Sequence, residues 1–322
     1  MSAALVDALR ARVTGQVLAD EPLGPHTTLK VGGPAAAMVR AESPSDVAVV
    51  ASVCAELEVP WLIVGRGSNL LVADSGWPGV AITLGRGFRG VHAPGFESAA
   101  LGEAVTVDAG AAEPMPVLAG AVANLGLSGL EFGVAIPGTL GGAVRMNAGA
   151  HGREMRDVLV TATVARLGDG GRVDVLAADD LAMSYRHTAL PGDALVVSAT
   201  LRLAHADGQD LAAAMAEMRQ WRREHQPINV PSCGSVFRNP QGDSAGRLIE
   251  AAGMKGHRVG GAEVSRVHAN FITVSPRSSA SDVFAVIRDV AAAVARTQGV
   301  QLDTEVVLVG FADDPARSGG AL

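Results

Sequence analysis

Short apolar runs closed off by glycine or proline alternate along the chain with stretches whose apolar positions recur every third or fourth residue, the patterns of buried strands and amphipathic helices. Met1 to Asp20, with Asp7, Arg10 and Arg12 among its apolar residues, reads as a surface helix rather than a signal peptide. Ser43-Pro44-Ser45-Asp46 starts the next helix: the serine caps it, and the missing N–H of proline falls in the first turn, where it costs nothing. That helix runs to about Glu58. Trp61 to Val64 and Leu70 to Ala73 follow as short strands around Gly65-Arg66-Gly67-Ser68-Asn69. Val80 to Leu84, Ala104 to Ala109, Val158 to Leu167, Arg172 to Leu176 and Ala194 to Leu203 also read as strands, with Asp169-Gly170-Gly171 as a hairpin turn. One helix, about Met115 to Leu125, lies among them, which predicts an α+β arrangement rather than a regular βαβ series.

At His205-Ala206-Asp207-Gly208 the pattern breaks. Beyond it, helices over about Asp210 to His225, Ser244 to Ala252 and Ala280 to Thr297 are joined by strands at Ala269 to Val274 and Glu305 to Val309. Gly253 stops the second of these helices, and the tail from Asp313 is expected to fray. A chain of 322 residues exceeds one compact core. The expected division is residues 1–79 and 80–204 as two subdomains, 205–303 as a further domain, and 304–322 as a closing strand and tail.

Composition narrows the function classes. Hydrophobic residues make up 48% and charged residues 18%, enough to bury cores. The net charge of −7, with Lys and Arg scattered, speaks against a nucleic-acid partner, while a local anion site remains open. Val117 to Val144 carries Glu131 as its only charge, but Asn124, Ser128, Pro137 and several glycines interrupt it, so no membrane span is expected. Cys54 and Cys233 match neither a metal spacing nor a disulfide framework, which suits a reducing cytoplasm. The histidines show no metal-binding spacing, and no metal site is expected.

Gly85-Arg86-Gly87-Phe88-Arg89-Gly90 has the spacing of a dinucleotide-binding turn, yet Val91-His92-Ala93-Pro94-Gly95 cannot begin the helix that such a turn requires. It reads as a loop. Gly65 to Asn69 is better placed to turn backbone N–H groups toward an anion, although a plain hairpin turn is the alternative. Ile136-Pro137-Gly138-Thr139-Leu140-Gly141-Gly142-Ala143, followed by Met146-Asn147-Ala148-Gly149, supplies a second glycine-rich turn. Two such turns can grip one diphosphate; close backbone packing is the competing reading. Ser235 stands in a short segment between Pro231 and Pro240, either as a held hydroxyl or as a turn cap. Tyr185-Arg186 holds the only tyrosine, with a solvated arginine as the default. Glu305 opens an apolar strand, where a carboxylate needs a partner or a proton unless it lies at an edge. Cys233 reads as a small apolar filler rather than a redox thiol.

In this order, and over nearly the whole chain, these segments resemble the UDP-N-acetylenolpyruvoylglucosamine reductase family. The resemblance runs from His26-Thr27-Thr28-Leu29-Lys30-Val31-Gly32-Gly33-Pro34-Ala35 through Val64 to Val72, Ile136 to Gly149, Tyr185-Arg186-His187-Thr188 and Gly234-Ser235-Val236-Phe237-Arg238-Asn239-Pro240 to Thr304-Glu305-Val306. It implies a vanillyl-alcohol-oxidase-type (PCMH-type) FAD fold of two α+β subdomains with a separate α+β substrate domain. The short stretch between Tyr185-Arg186 and the strand at Ala194 is similar to the shorter, second class of the family. Arg145 and His151 depart from the tyrosines common there.

By resemblance, FAD contacts Gly65, Arg66, Gly67, Ser68, Asn69, Leu70, Pro137, Gly138, Thr139, Gly141, Gly142, Asn147 and Gly149. NADPH reduces the flavin and leaves before the sugar nucleotide enters. Arg186 stabilises the substrate carboxylate as charge flows into it, Glu305 is protonated or shares a proton with it, and Ser235 donates the proton that quenches the enol. Tyr185, His225 and Asn239 contact the substrate. Such a protein is expected to act as a monomer without nucleic-acid or membrane partners. An FAD-dependent sugar or alcohol oxidase on the same fold is the alternative, and a catalytically silent flavoprotein or sugar-nucleotide binder is a third.

Overall fold

The computed structural model describes residues 2–311; the tail expected to fray from Asp313 lies outside the described residues. The chain forms two compact units that take turns along the sequence. One comprises Met1–Ala19, Ala37–Gly65 and Gly79–Trp221, the other Asp20–Ala36, Arg66–Pro78 and Arg222–Leu322.

The first unit is built on an antiparallel sheet ordered Arg172–Ala177, Leu159–Arg166, Ala194–His205, Ala104–Gly110 and Val91–His92, with Leu127–Ser128 pairing the end of the long third strand. Alternation along Ala104–Gly110 sends Val105, Val107 and Ala109 inward, where they meet Met115, Leu118 and Val122 of the helix Met115–Asn124. Gly170 and Gly171 take positive φ at the hairpin between Leu159–Arg166 and Arg172–Ala177. The helix Pro44–Glu56 begins where the sequence places it: the Ser43 hydroxyl accepts from the Asp46 N–H at 3.2 Å. Gly85 to Gly90 contains only a 3-10 turn, Arg86–Phe88, as its proline-bearing sequel requires.

The pattern is not followed throughout: the helix read over Met1 to Asp20 stops at Arg12, and Gln16–Pro22 is a strand. Leu140–Arg145, expected to be turn, is a short helix in spite of Gly141 and Gly142, because Leu140, Ala143 and Val144 bury one face and Thr139 caps its start.

The second unit packs the helix Ala280–Gln298 over the strands Arg258–Val259, Ala262–Val264 and Ile272–Val274. Ser279 and Asp282 form a reciprocal capping box, and Gly299 closes the helix in the left-handed conformation. Asp74 adds a second tie, accepting from the N–H groups of Ala280 and Ser281 at 2.8 and 2.9 Å. Leu70–Val72 pairs in parallel with Val307–Val309.

Trp61–Ile63 pairs in parallel with Val80 to Ile82. The strands flanking Gly65 to Asn69 therefore have different partners, and the plain hairpin reading of that turn is excluded. Among the described residues no helix is long and apolar enough to cross a membrane.

Candidate active site

The first glycine-rich turn is forced by close approach. Gly67 has φ +59°, and a Cβ there would stand 2.3 Å from the carbonyl oxygen of His26. The Gly67 carbonyl accepts from Thr28 N–H at 3.1 Å and the Asn69 carbonyl from Val307 N–H at 3.0 Å. Anions are bound by N–H groups; here the chain itself uses the carbonyls. Arg66 is exposed, Ser68 is half-buried, and Leu70 begins the strand.

A Cβ on Gly65 would lie 3.0 Å from Thr139 Oγ1, so the two glycine-rich segments are immediate neighbours there. In the second segment some of the backbone N–H groups are already bonded. The N–H groups of Leu140 and Gly141 donate to Glu113 and Ala111 carbonyls at 2.9 and 3.0 Å, and a Cβ on Gly141 would crowd Ala111. Gly141 is thus closely packed. Gly138 turns its carbonyl to Met115 N–H, Gly142 is exposed beside Thr139, and Pro137 is half-buried ahead of them. Asn147, expected to touch the cofactor, is fully buried, and both ends of its amide are committed inside the protein, Nδ2 to Ser184 O at 2.9 Å and Oδ1 from Arg156 N–H at 2.9 Å.

Asn147 and Gly149 hydrogen-bond to the turn that carries Tyr185-Arg186. Ser184 and His187 exchange backbone hydrogen bonds at 3.0 Å, leaving Tyr185 and Arg186 at the tip, with Arg186 at φ +54°. The Arg186 guanidinium donates to Gly149 O at 3.0 Å and lies 5.1 Å from the Tyr185 ring centre.

In the second unit, Ser235 and Glu305 come together. Glu305 N–H donates to Val236 O at 2.8 Å, and Arg238 N–H to Asp303 O at 2.9 Å, so the two segments run side by side. On the other flank Asn270, buried, takes Phe237 N–H on Oδ1 at 2.9 Å and gives Nδ2 to Phe237 O at 2.8 Å. Cys233, two residues before Ser235, is buried; burial first, then the Glu305 charge, push its thiol up to about 12. That is no redox thiolate. Asn239 Oδ1 accepts from Ala245 N–H at 3.0 Å at the start of the helix Ala245–Ala251, and His225 is exposed at the end of Gly208–His225.

Residues 226–309 match the C-terminal domain of UDP-N-acetylenolpyruvoylglucosamine reductase, and residues 35–175 match an FAD binding domain. A UDP-N-acetylenolpyruvoylglucosamine reductase from Bacillus subtilis (strain 168) is 40% identical over 310 residues, covering 95% of this chain and 98% of its own. The chain belongs to the UDP-N-acetylenolpyruvoylglucosamine reductase family. A reductase of that name from Anaeromyxobacter sp. (strain Fw109-5) is 43% identical over 302 residues, 94% of this chain and 91% of its own. The crystal structure of the Thermus caldophilus UDP-N-acetylenolpyruvylglucosamine reductase aligns with TM-score 0.76 and 34% identity, over 92% of this chain and 98% of that one.

Arg145 and His151 stand where the resemblance leads one to expect tyrosines. Arg145 closes the short helix and donates to the carbonyls of Leu190 and Pro191 at 3.2 and 3.0 Å and to that of Ala194, while Thr188 Oγ1 returns a bond to Arg145 O at 2.8 Å. Burial lowers its pKa, opposed by Asp193. His151 sits edge-on to Trp221, ring centres 5.3 Å apart. Sequence reasoning missed Asn270; its signal was an amide opening the apolar run Phe271 to Val274.

Proposed function

We propose that this protein reduces the enolpyruvyl group of UDP-N-acetylglucosamine enolpyruvate to give UDP-N-acetylmuramate, a cytoplasmic step of peptidoglycan precursor synthesis, and that it acts as a monomer. FAD, when bound, would carry a hydride equivalent from NADPH to the terminal carbon of the substrate alkene. Backbone N–H groups of Gly65 to Leu70 would hold its diphosphate, Pro137, Gly138, Thr139 and Gly142 would also serve it, and Asn147 and Gly149 hold the turn that carries Tyr185-Arg186. Residues 1–79 and 80–204 serve the flavin, and 205–303 serve the substrate.

The enol ether is electron-rich and accepts electrons only if charge flows into its carboxylate. Arg186 receives that charge: its guanidinium is planar, and a hydrogen bond to Gly149 O helps to orient it. Glu305 shares a proton with the same carboxylate, since two bare carboxylates repel. Ser235 delivers the proton to the carbon bearing the ether oxygen, and as a weak acid it must be held close. Tyr185, His225 and Asn239 contact the sugar nucleotide.

The observation that carries this reading is the 2.8 Å hydrogen bond from Glu305 N–H to Val236 O, which sets a hydroxyl and a carboxylate on adjacent backbone segments. Purified protein is expected to be yellow and to turn over NADPH catalytically only when the enolpyruvyl sugar nucleotide is added. Ser235→Ala should keep FAD and lose about a hundredfold or more in turnover. A preparation that refuses FAD, an unimpaired Ser235→Ala, or equal turnover with oxygen alone defeats the proposal.

A further inference from the structure

We propose that the Asn69 side chain is a positioning device for Glu305, coupling the flavin turn to the segment that carries the carboxylate. The inference rests on the part given to Glu305 above and concerns a residue that the sequence assigns to the cofactor alone.

Asn69 Nδ2 donates to the backbone oxygen of Glu305 at 3.0 Å, across 236 residues of sequence. Its own carbonyl accepts from Val307 N–H at 3.0 Å, and Leu70–Val72 then continues in parallel register with Val307–Val309. The other polar backbone group of Glu305, its N–H, is bonded to Val236 O at 2.8 Å, next to Ser235. One peptide unit on each side of Glu305 is thus fixed, one toward the serine segment and one toward the flavin turn. Asn69 is half-buried at this junction, where its amide replaces water as the partner of the carbonyl. The backbone of Asn69 remains part of the turn; the side chain acts through Glu305. A shift of a carboxylate by an ångström is enough to cost much of a proton-sharing geometry.

Asn69→Asp keeps the shape and removes the N–H donor. Because the added charge weakens FAD binding beside the diphosphate, both half-reactions are measured with FAD saturating, and reduction by NADPH serves as the internal reference. Reoxidation of the reduced flavin by the enolpyruvyl sugar nucleotide should slow by about tenfold or more, the equivalent of one lost hydrogen bond. Amide hydrogen exchange at Val306 and Val307 in the flavin-free protein should accelerate by about tenfold. In a Glu305→Gln background Asn69→Asp should add nothing to the loss, since both act at one group. Asn69→Ala, which introduces no charge, carries the same expectations and replaces Asn69→Asp if that variant does not fold. A flavin dissociation constant raised about tenfold with both half-reactions slowed together overturns the proposal in favour of a plain cofactor contact. Unchanged reoxidation with unchanged exchange overturns it outright. If Glu305→Gln alone is reoxidised at the full rate, the reading of Glu305 fails; the exchange result then decides the strut by itself, acceleration sustaining it and no change ending it.

Discussion

Arg145 commits its guanidinium to the carbonyls of Leu190, Pro191 and Ala194 and thereby ties the segment following Arg186 to the short helix of the glycine-rich turn. Arg145→Met should lower unfolding free energy in urea by roughly 2–3 kcal/mol, since three acceptors lose a charged donor. Arg145→Lys should recover only part, because an ammonium cannot address three carbonyls as a fork does. The two thiols make a pH prediction. Burial raises Cys54 from the ordinary 9.0 to about 11 and Cys233 to about 12. Below pH 9 both folded and unfolded thiols are protonated and stability is unaffected. Above it only the unfolded chain loses these protons, so stability falls by about 1.4 kcal/mol per pH unit for each thiol until the folded values are reached. Urea titrations from pH 8 to pH 10 should show a shallower decline in the Cys54→Ala/Cys233→Ala protein. At this scale the sequence exposed the chemistry-bearing residues but not their attachments. Glu305 is visible as a carboxylate before an apolar strand, whereas the partners of Asn69, Asn147 and Asn270 lie too far along the chain to be read from neighbours.

Elements whose boundaries are written in local chemistry were legible. Ser43-Pro44, Ser244 and Gly253 mark helix ends by capping and by positive φ, and the structure starts or stops helices there. What local chemistry cannot give is the partner of a strand. Leu70–Val72 reads as a strand in isolation, yet its partner is Val307–Val309, and nothing near either names the other. The helix Leu140–Arg145 was hidden for the opposite reason, since two glycines outweigh the apolar face that packing later rewards. Asp74 gives an element-scale prediction. Burial raises its pKa, but bonds from the Ser281 hydroxyl and the Ala280 and Ser281 amides outweigh that and leave it lowered. Asp74→Ala should cost about 1 kcal/mol, read as a lower thermal midpoint. Because the folded pKa lies below the ordinary 3.8, the aspartate's contribution is complete above that value and vanishes as pH falls through the folded one, so the variant and the unaltered protein should converge in acid.

Over the whole molecule, the sequence suggests cuts at successive points along the chain, whereas the compact units take turns. The second draws on Asp20–Ala36 and Arg66–Pro78 as well as Arg222–Leu322. Its core contains Leu29, Val31 and Leu71 together with Val236, Phe237, Val286 and Leu308. A fragment of residues 222–311 therefore lacks three of its own buried side chains and the partner strand of Val307–Val309. Expressed alone it should give a poorly dispersed amide spectrum and bind a hydrophobic dye, and co-expression with residues 20–78 should restore dispersion. Discontinuity also governs manufacture. On the ribosome, Leu29, Val31 and Leu71 emerge early and must wait for Val309 before anything encloses them. The nascent chain thus travels most of its length with an unfinished apolar surface, the condition under which chaperones are recruited and aggregation competes. Ordered assembly is limited by the last strand to be made.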